Sequence, residues 1–280
     1  MSSIDYNGKI MQDDQPLFLA ANKSYRYGDG LFETMKVSHG KILLEDLHFA
    51  RLFSSLELLQ LRLPAFFNRE KIVGAILRLC ELNKASNLAR VRLSFFRGNG
   101  GLLEGTDEAK YLLEVWPLEP SVHEWSINGL ELGIYPDARK SCDLFSPLKT
   151  SSFLPYVQAA RYARANKWND CLVLNTWGRI CDSTIANVFL VKNGQLFTPP
   201  LDEGCIDGVM RRFLKTYLAD NDLVLEEKGI TISDLEEADE VFLTNCIRGI
   251  RWVGRIGDEK YSYQISRQLH EAVRRLLFKE

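Results

Sequence analysis

The sequence predicts an α+β protein of two parts. The prediction rests on strand-like and helix-like spacing of apolar residues and on a proline-containing interruption between the two halves. Some stretches alternate apolar and polar residues as strands do, whereas others carry leucine and isoleucine at helical spacing. Two prolines interrupt the pattern at residues 116–121, after an apolar strand. We therefore expect an N-terminal α+β domain over residues 1–117 and a C-terminal α/β-type domain over residues 118–280.

The first half is predicted to contain antiparallel strands covered by two helices. Residues 41–61 and 69–82 place apolar side chains at helical spacing. Residues 89–96 alternate apolar with polar positions, as a half-buried strand does, and residues 110–116 have the composition of its neighbour. Strands followed by covering helices are typical of an α+β layer.

The second half mixes short strands with helices. Strands are predicted at residues 170–176, 185–198 and 239–246, the middle one a hairpin that turns at Asn193-Gly194. Helices are predicted at residues 154–166, 209–220 and 263–278.

Composition argues against several classes of function. Hydrophobic residues make up 46% and charged residues 26% of the chain, which is the balance of a soluble globular protein. A net charge of −2 without a basic run gives no reason to expect nucleic acid as a partner. No apolar stretch approaches the ~18 residues of a membrane span, and the N-terminus lacks the pattern of a secretory signal. We expect a cytoplasmic protein that acts on a small molecule.

Cysteine and histidine usage argues against a metal centre. The six cysteines include no CxxC pair, and the four histidines form no HExxH or HxH set. A structural zinc site and a disulfide framework are therefore not expected.

Four segments hold residues that core packing does not require. Each combines glycine, charged or hydroxyl side chains with a neighbouring predicted strand or helix. They are residues 27–34, with two glycines around Asp29; residues 48–52 on the first helix; residues 149–152; and residues 178–211, which include Asp182, Asn187 and Gly208.

Together and in this order, these segments resemble the fold-type IV pyridoxal-phosphate enzymes. That family holds branched-chain aminotransferases, D-amino-acid aminotransferases and 4-amino-4-deoxychorismate lyases. The resemblance covers nearly the whole chain and implies the fold of the D-amino-acid aminotransferases. It also implies pyridoxal 5'-phosphate between the two domains, with Lys149 of the C-terminal domain as the Schiff-base lysine and catalytic residue.

The resemblance also assigns cofactor-binding residues. Asp182 stands where the family usually has Glu, beside the ring nitrogen, and Asn187 belongs to the same motif. The side chain of Asp182 is one methylene shorter, so pairing requires a shift of about 1.5 Å. The remaining matches concern mainly the phosphate, and they are Arg51, the amides of Val209 and Met210, and the segment containing Asn245 and Cys246. Met210 replaces a common Thr and retains only the amide.

The substrate pocket decides between the branches of the family. The D-amino-acid branch carries an Arg-x-His carboxylate trap after an Arg-Gly pair, but here Arg97-Gly98 is followed by Asn-Gly-Gly. The branched-chain branch usually has Tyr five residues after the lysine, where this chain has Leu154. The runs at residues 97–101, 198–213 and 245–251 look like the lyases, although Ser152 replaces their usual Asn. The expected substrate-binding residues are Phe32, Arg97 and Arg248.

The lyase reading implies release of pyruvate and 4-aminobenzoate, in folate biosynthesis, and a class IV aminotransferase is the alternative. A hydrolase would need a nucleophile elbow, and the sequence has no G-x-S-x-G. A catalytically silent binding protein on the same fold also stays open.

The resemblance further implies a homodimer. A partner surface could cover some of the many aromatics in the first half, which are Phe49, Phe53, Phe66, Phe67, Phe95 and Phe96.

Overall fold

The computed structural model describes residues 2–64 and 67–278, arranged in two compact units. The first unit comprises Met1–Val122 together with Lys149–Ser152. The second unit comprises His123–Leu148 and Phe153–Glu280. Phe66, one of the aromatics considered above, lies outside the described residues.

The described residues of the first unit form a six-stranded antiparallel sheet and three helices. Its strands, in the sheet order β2-β1-β6-β5-β3-β4, are β1 Ser3–Tyr6, β2 Lys9–Gln12, β3 Gly30–Ser38, β4 Lys41–Ile42, β5 Leu88–Arg97 and β6 Ala109–Pro117. Its helices are α1 Lys23–Tyr27, α2 Glu45–Leu58 and α3 Arg69–Leu82. The predicted antiparallel strands and the two longer helices are confirmed.

One apolar core joins this sheet to α2 and α3. Met35 and Leu93 from neighbouring strands and Leu52 from α2 have no exposed surface. The helix α3 begins after Asn68, whose side chain accepts a hydrogen bond from the amide of Lys71 at 2.8 Å. Four of the aromatics considered for a partner surface, Phe49, Phe67, Phe95 and Phe96, are buried in this unit. Phe53 is the partly exposed one among those described.

The segment Lys149–Ser152 belongs to the first unit because its backbone pairs with β3. The amide of Phe32 donates to the carbonyl of Lys149 at 2.9 Å, and the amide of Ser151 donates to the carbonyl of Gly30 at 2.8 Å. The expected assignment of Lys149 to the C-terminal part is thereby corrected, since these hydrogen bonds tie the segment to an earlier strand. The boundary at residues 117 and 118 stays a prediction.

In the second unit, the described part of the chain forms a nine-stranded mixed sheet and four helices. The strands are β7 Leu130–Lys140, β8 Asp170–Asn175, β9 Ile180–Ser183, β10 Asn187–Lys192, β11 Gln195–Thr198, β12 Leu225–Glu227, β13 Glu240–Asn245, β14 Gly249–Ile256 and β15 Glu259–Lys260. The helices are α4 Leu154–Ala165, α5 Val209–Asp220, α6 Ile232–Glu236 and α7 Gln264–Phe278. Short 3₁₀ turns lie at Pro120–His123 and Leu201–Glu203.

Six of these strands form a closed ring, in the order β9-β8-β7-β14-β13-β10. The ring closes where β10 pairs with β9 through a single residue pair, Asn187 with Asp182. The predicted hairpin is confirmed, because Asn193 and Gly194 both adopt positive φ angles, 50° and 78°, between β10 and β11. Within residues 2–64 and 67–278, the helices all fall short of the length and apolar composition that a membrane span requires.

Candidate cofactor site

A buried ionic cluster in the first unit contains Arg51, the residue matched to the phosphate. Arg51 Nε and Nη2 donate to the two carboxylate oxygens of Glu33 at 2.7 and 2.6 Å. His48 Nδ1 lies 2.8 Å from Glu33 Oε2. His48 and Arg51 are three residues apart on α2, so both face β3, which carries Glu33.

The cluster determines the charge of its carboxylate. Burial alone would raise the pKa of Glu33, but the charge of Arg51 and the hydrogen bonds from His48 and Arg51 lower the pKa to about 2. Glu33 is therefore ionised at neutral pH, and its two oxygens hold the Nε–Nη2 edge of the Arg51 guanidinium in one orientation. The structure thus gives Arg51 a fixed position, while its contact with the phosphate stays a prediction.

Lys149 lies beside the aromatic ring of Phe32 in the same unit. Its Nζ is 4.7 Å from the ring centroid, and the guanidinium carbon of Arg92 is 3.6 Å from the same centroid. Phe32 is buried and Lys149 is partly buried. The structure therefore brings together two of the predicted site residues, a primary amine and an aromatic ring whose face attracts a cation.

Arg97, a predicted substrate-binding residue, is held by other groups of the first unit. Its Nη1 donates to Asp29 Oδ1 at 2.6 Å, and its Nη2 donates to the carbonyl of Leu59 at 2.5 Å. Through these two hydrogen bonds, the Arg97 guanidinium connects β5 to the turn before β3 and to the end of α2. A role for Arg97 with a substrate carboxylate stays a prediction.

In the second unit, Asp182 and Asn187 meet at the closure of the ring. Asn187 Nδ2 donates to Asp182 Oδ1 at 2.9 Å and to the carbonyl of Ile206 at 2.7 Å. Asp182 Oδ2 accepts from the hydroxyl of Tyr156 at 2.7 Å, from the amide of Ile206 at 2.9 Å and from Lys140 Nζ at 3.3 Å. The carboxylate is buried, and burial raises its pKa against the lowering effects of Lys140, Tyr156 and the Ile206 amide.

The start of α5 has the features of an anion site. Gly208 precedes the helix and provides no side-chain cap, and the first turn contains no acidic residue. The amides of Val209 and Met210 belong to this first turn, where N–H groups have no acceptor within the helix and the helix dipole favours negative charge. The amides of Val209 and Met210, which the sequence assigns to the phosphate, are therefore chemically suited to bind an anion.

Close packing explains why residue 208 is glycine. A Cβ added at Gly208 would lie 1.9 Å from Asn187 Oδ1, which is far inside van der Waals contact. The absence of that Cβ lets α5 approach the Asn187 amide. The helix start and the Asp182–Asn187 pair are thus held together.

The end of β13 adds polar groups to the same unit. Thr244 pairs with Asn187 across β13 and β10, and its hydroxyl is buried without a hydrogen-bond partner among the described residues. Asn245 Oδ1 accepts from the amides of Ile247 and Arg248 at 3.0 and 2.8 Å, which shapes the turn that follows. A buried hydroxyl that lacks a partner is unusual, and it fits a ligand oxygen.

The remaining predicted residues of this turn differ in exposure. Cys246 is partly buried, whereas Arg248 is exposed. Asn187 and Thr244 are both buried and pair with each other across β10 and β13, whereas Arg248 does not share their burial.

Taken together, the described groups of the second unit fit pyridoxal 5'-phosphate at both ends. Asp182 Oδ1 accepts a single hydrogen bond among the described residues, so one lone pair is left for a ring nitrogen. The start of α5 and the Thr244 hydroxyl fit the phosphate. Two residues of this environment, Lys140 and Tyr156, were not identified from the sequence, because neither belongs to a glycine-rich or polar segment that stands out.

Replacing Gly208 by alanine is expected to weaken cofactor binding. The new methyl group would displace Asn187 and break its bonds to Asp182 and Ile206, which costs about 1–3 kcal/mol for buried polar groups that lose their partners. Cofactor titration and thermal unfolding of Gly208→Ala measure both effects. The matched control is Gly74→Ala on α3, where the added Cβ meets nothing within 4 Å and the helix should gain up to about 1 kcal/mol. Equal affinities for wild type and Gly208→Ala would contradict the expectation.

Comparison with known proteins gives the chain its family. The sequence pattern of "Amino-transferase class IV" matches residues 30–256. An aminodeoxychorismate lyase of Bacillus subtilis is 29% identical over 263 residues, which cover 92% of this chain and 88% of the relative. A D-alanine aminotransferase of Staphylococcus haemolyticus is 24% identical over 281 residues, covering 97% and 96% of the two chains.

The fold is also that of solved class IV enzymes. The crystal structure of a branched-chain aminotransferase from Thermoproteus uzoniensis superposes with a TM-score of 0.87 at 22% identity, covering 99% of this chain and 95% of that one. At this identity the likeness concerns the fold. Because the family match spans most of the chain, this protein belongs to the class IV aminotransferase family of enzymes, which use pyridoxal 5'-phosphate.

Proposed function

We propose that this enzyme is a 4-amino-4-deoxychorismate lyase, which converts its substrate into 4-aminobenzoate and pyruvate. The observation that carries the proposal is the chemistry of the two positions that mark the aminotransferase branches. Leu154 stands where the branched-chain branch has Tyr, and it is exposed at the start of α4. The residues after Arg97-Gly98 contain no Arg-x-His pair.

The glycine-rich run after Arg97 also supports the lyase proposal. Gly100 has a φ of 147°, and an added Cβ would lie 2.9 Å from the carbonyl oxygen of Glu104. Its amide donates to the carbonyl of Ala21 at 3.0 Å. The run that resembles the lyases is therefore a tightly built loop, in which glycine is required at this position.

In the proposed reaction, Lys149 has two tasks. Its amine would hold the cofactor covalently, and as a free amine it would take up the proton from the carbon that bears the substrate nitrogen. The bound cofactor supplies an electron sink for the resulting negative charge.

The other residues hold and orient the cofactor in this proposal. Asp182 would keep a proton on the ring nitrogen, and the first turn of α5 with the Thr244 hydroxyl would bind the phosphate, supported by Arg51. Departure of the enolpyruvyl group as pyruvate then leaves an aromatic ring, so the atoms of the substrate are fully accounted for in 4-aminobenzoate and pyruvate. The gain of aromaticity favours product formation.

An aminotransferase is the second candidate, favoured by Ser152. The lyases usually have Asn at this position, three residues after the lysine, and Ser152 lacks that amide. The same proton removed by Lys149 would then return to a different carbon, and the amino group would pass to a keto acid.

One assay separates the two candidates. The enzyme loaded with its cofactor is incubated with aminodeoxychorismate, and in parallel with D- and L-amino acids plus 2-oxoglutarate. The lyase proposal expects pyruvate and 4-aminobenzoate in equal amounts, with slow or absent amino transfer. Keto-acid formation from an amino acid, without pyruvate from aminodeoxychorismate, would establish the aminotransferase instead.

We further propose a homodimer and expect a mass near twice the 32.0 kDa of one chain. The first unit exposes several large apolar side chains on two adjoining segments, whose members are Leu19, Tyr25, Leu102 and Leu103. Backbone bonds from Lys23 to Gly98 and from Gly100 to Ala21 join these segments. Such a patch is typical of a partner surface. Light scattering at micromolar concentration measures the mass, and a monomer there would contradict the proposal.

A further inference from the structure

Three elements of the second unit place Lys140, Tyr156 and Asp182 in one buried cluster. Lys140 ends β7, Tyr156 lies on α4, and Asp182 lies on β9. Their residue exposures are 9%, 5% and 2%, so water has little access to any of them. Lys140 Nζ is 3.3 Å from Asp182 Oδ2 and 5.1 Å from the centroid of the Tyr156 ring.

Lys140 supplies the positive charge of this cluster. The other titratable groups that face Asp182 are Tyr156 on α4, the neighbouring Cys181, and Cys205 before α5. Burial raises the pKa of Tyr156 and of Cys181 well above the ordinary values and that of Cys205 to about 12. All three are therefore neutral near pH 7. The carboxylate is stabilised in its ionised form by one ammonium group and by hydrogen-bond donors.

The donors are divided unequally between the two oxygens of Asp182. Oδ2 accepts from Lys140, Tyr156 and the Ile206 amide, whereas Oδ1 accepts from Asn187. Oδ2 is thus saturated and fixed, and Oδ1 is the oxygen with remaining capacity. Asp182 is one methylene shorter than the Glu that the family usually has at this position. Because Oδ2 is held in place, Oδ1 points in a defined direction, which compensates for the shorter reach.

We propose that Lys140 is a positioning residue, which keeps Asp182 ionised and turns Oδ1 toward the ring nitrogen of the cofactor. The proposal rests on the proposed role of Asp182 and goes beyond it, because it assigns the ionisation of that carboxylate to a second lysine of the chain. A protonated Asp182 could not hold a proton on the ring nitrogen by charge. Lys140 thereby acts on the cofactor through Asp182 without touching the substrate.

The first test measures the carboxyl group in the cofactor-free protein. Protein labelled with ¹³C at aspartate carboxyl carbons is titrated by NMR, and Asp182→Asn identifies the signal. Removing an opposite charge at this distance shifts a pKa by about 1–3 units, so Lys140→Met is expected to raise the pKa of Asp182 by at least about one unit. Lys140→Arg keeps the charge and should stay near wild type. The matched control is Lys260→Met, an exposed lysine on β15.

The second test uses the enzyme loaded with its cofactor. In Lys140→Met, kcat is expected to fall with little change in KM. The fall should be largest at low pH and should shrink as the pH is raised, because the carboxyl group of Asp182 ionises at a higher pH than in wild type. The visible spectrum of the bound cofactor should change its pH dependence in the same direction. Lys140→Arg should restore both.

Each outcome decides the proposal. An unchanged pKa of Asp182 in Lys140→Met, even with a lower melting temperature, would reduce Lys140 to a structural ion pair and overturn it. Should Lys140→Met fail to fold, Lys140→Gln removes the same positive charge with a polar side chain and must also raise this pKa. Because the NMR titration needs neither substrate nor cofactor, it remains decisive if the lyase assay fails.

Discussion

Lys149→Ala is expected to abolish turnover and the visible absorbance of the lysine-bound cofactor, while the protein stays folded. Turnover should fall by more than about 10³-fold, because covalent attachment and proton transfer are lost together. The fold should persist since the segment pairs with β3 through backbone groups of residues 149 and 151, which alanine retains. Absorbance spectra, circular dichroism and the product assay measure the three quantities.

The control for this variant is an exposed lysine of the same unit. Lys41→Ala, at the start of β4, should keep full activity and cofactor absorbance. A fully active Lys149→Ala would remove the central assignment. Loss of folding in Lys149→Ala alone would show that Nζ serves the structure, through its position beside Phe32.

Arg51→Ala is expected to have the largest effect on stability. The substitution leaves the Glu33 carboxylate buried with His48 as its remaining cluster partner, and breaking a buried ion pair on one side costs about 3–5 kcal/mol. Cofactor affinity should also fall, by about 10- to 100-fold for the loss of a charge-assisted bond to phosphate. Denaturant unfolding of the cofactor-free protein and cofactor titration of the folded variant separate the two effects.

A surface ion pair between α2 and α3 provides the comparison. Arg69 pairs with Glu45 at 2.7 Å, but 40% of the Arg69 side chain is exposed. Arg69→Ala should therefore cost less than about 1 kcal/mol. If Arg51→Ala were as stable as Arg69→Ala, the buried ion pair between Arg51 and Glu33 would contribute little to the free energy of unfolding. Unchanged cofactor affinity would remove Arg51 from the phosphate site.

The spacing of apolar residues predicts those helices and strands that bury one face and expose the other. Ile72, Ile76 and Leu79 follow helical spacing and are buried along α3, and Val91, Leu93 and Phe95 are buried along β5 as the alternation predicts. Strand β7 escaped prediction because Pro136 interrupts it and its register shifts between Ile134 and Arg139. Strand β9 has four residues, all buried, so its composition shows no alternation.

The candidate site was predictable where a motif is local in sequence. His48 and Arg51 lie one helical turn apart, and Asp182 and Asn187 flank one tight turn, so short segments point to both pairs. Glu33 lies within the glycine-containing segment 27–34, but its ion pair with Arg51 depends on how β3 packs on α2. Lys140 and Tyr156 reach Asp182 from separate elements, 42 and 26 residues away. No spacing rule predicts such contacts.

The single residue pair that closes the ring of the second unit links cofactor binding to local opening. If β9 separates from β10, Asp182 and Asn187 part, and the Ile206 amide loses its acceptor. A cofactor that binds the closed ring alone lowers the open population by the factor 1 + [L]/Kd, about 100-fold at 100 times Kd. Hydrogen exchange at the Ile206 amide would slow by the same factor if exchange requires this opening. The exchange rate of the Ile206 amide would then report the fraction of protein that has bound the cofactor.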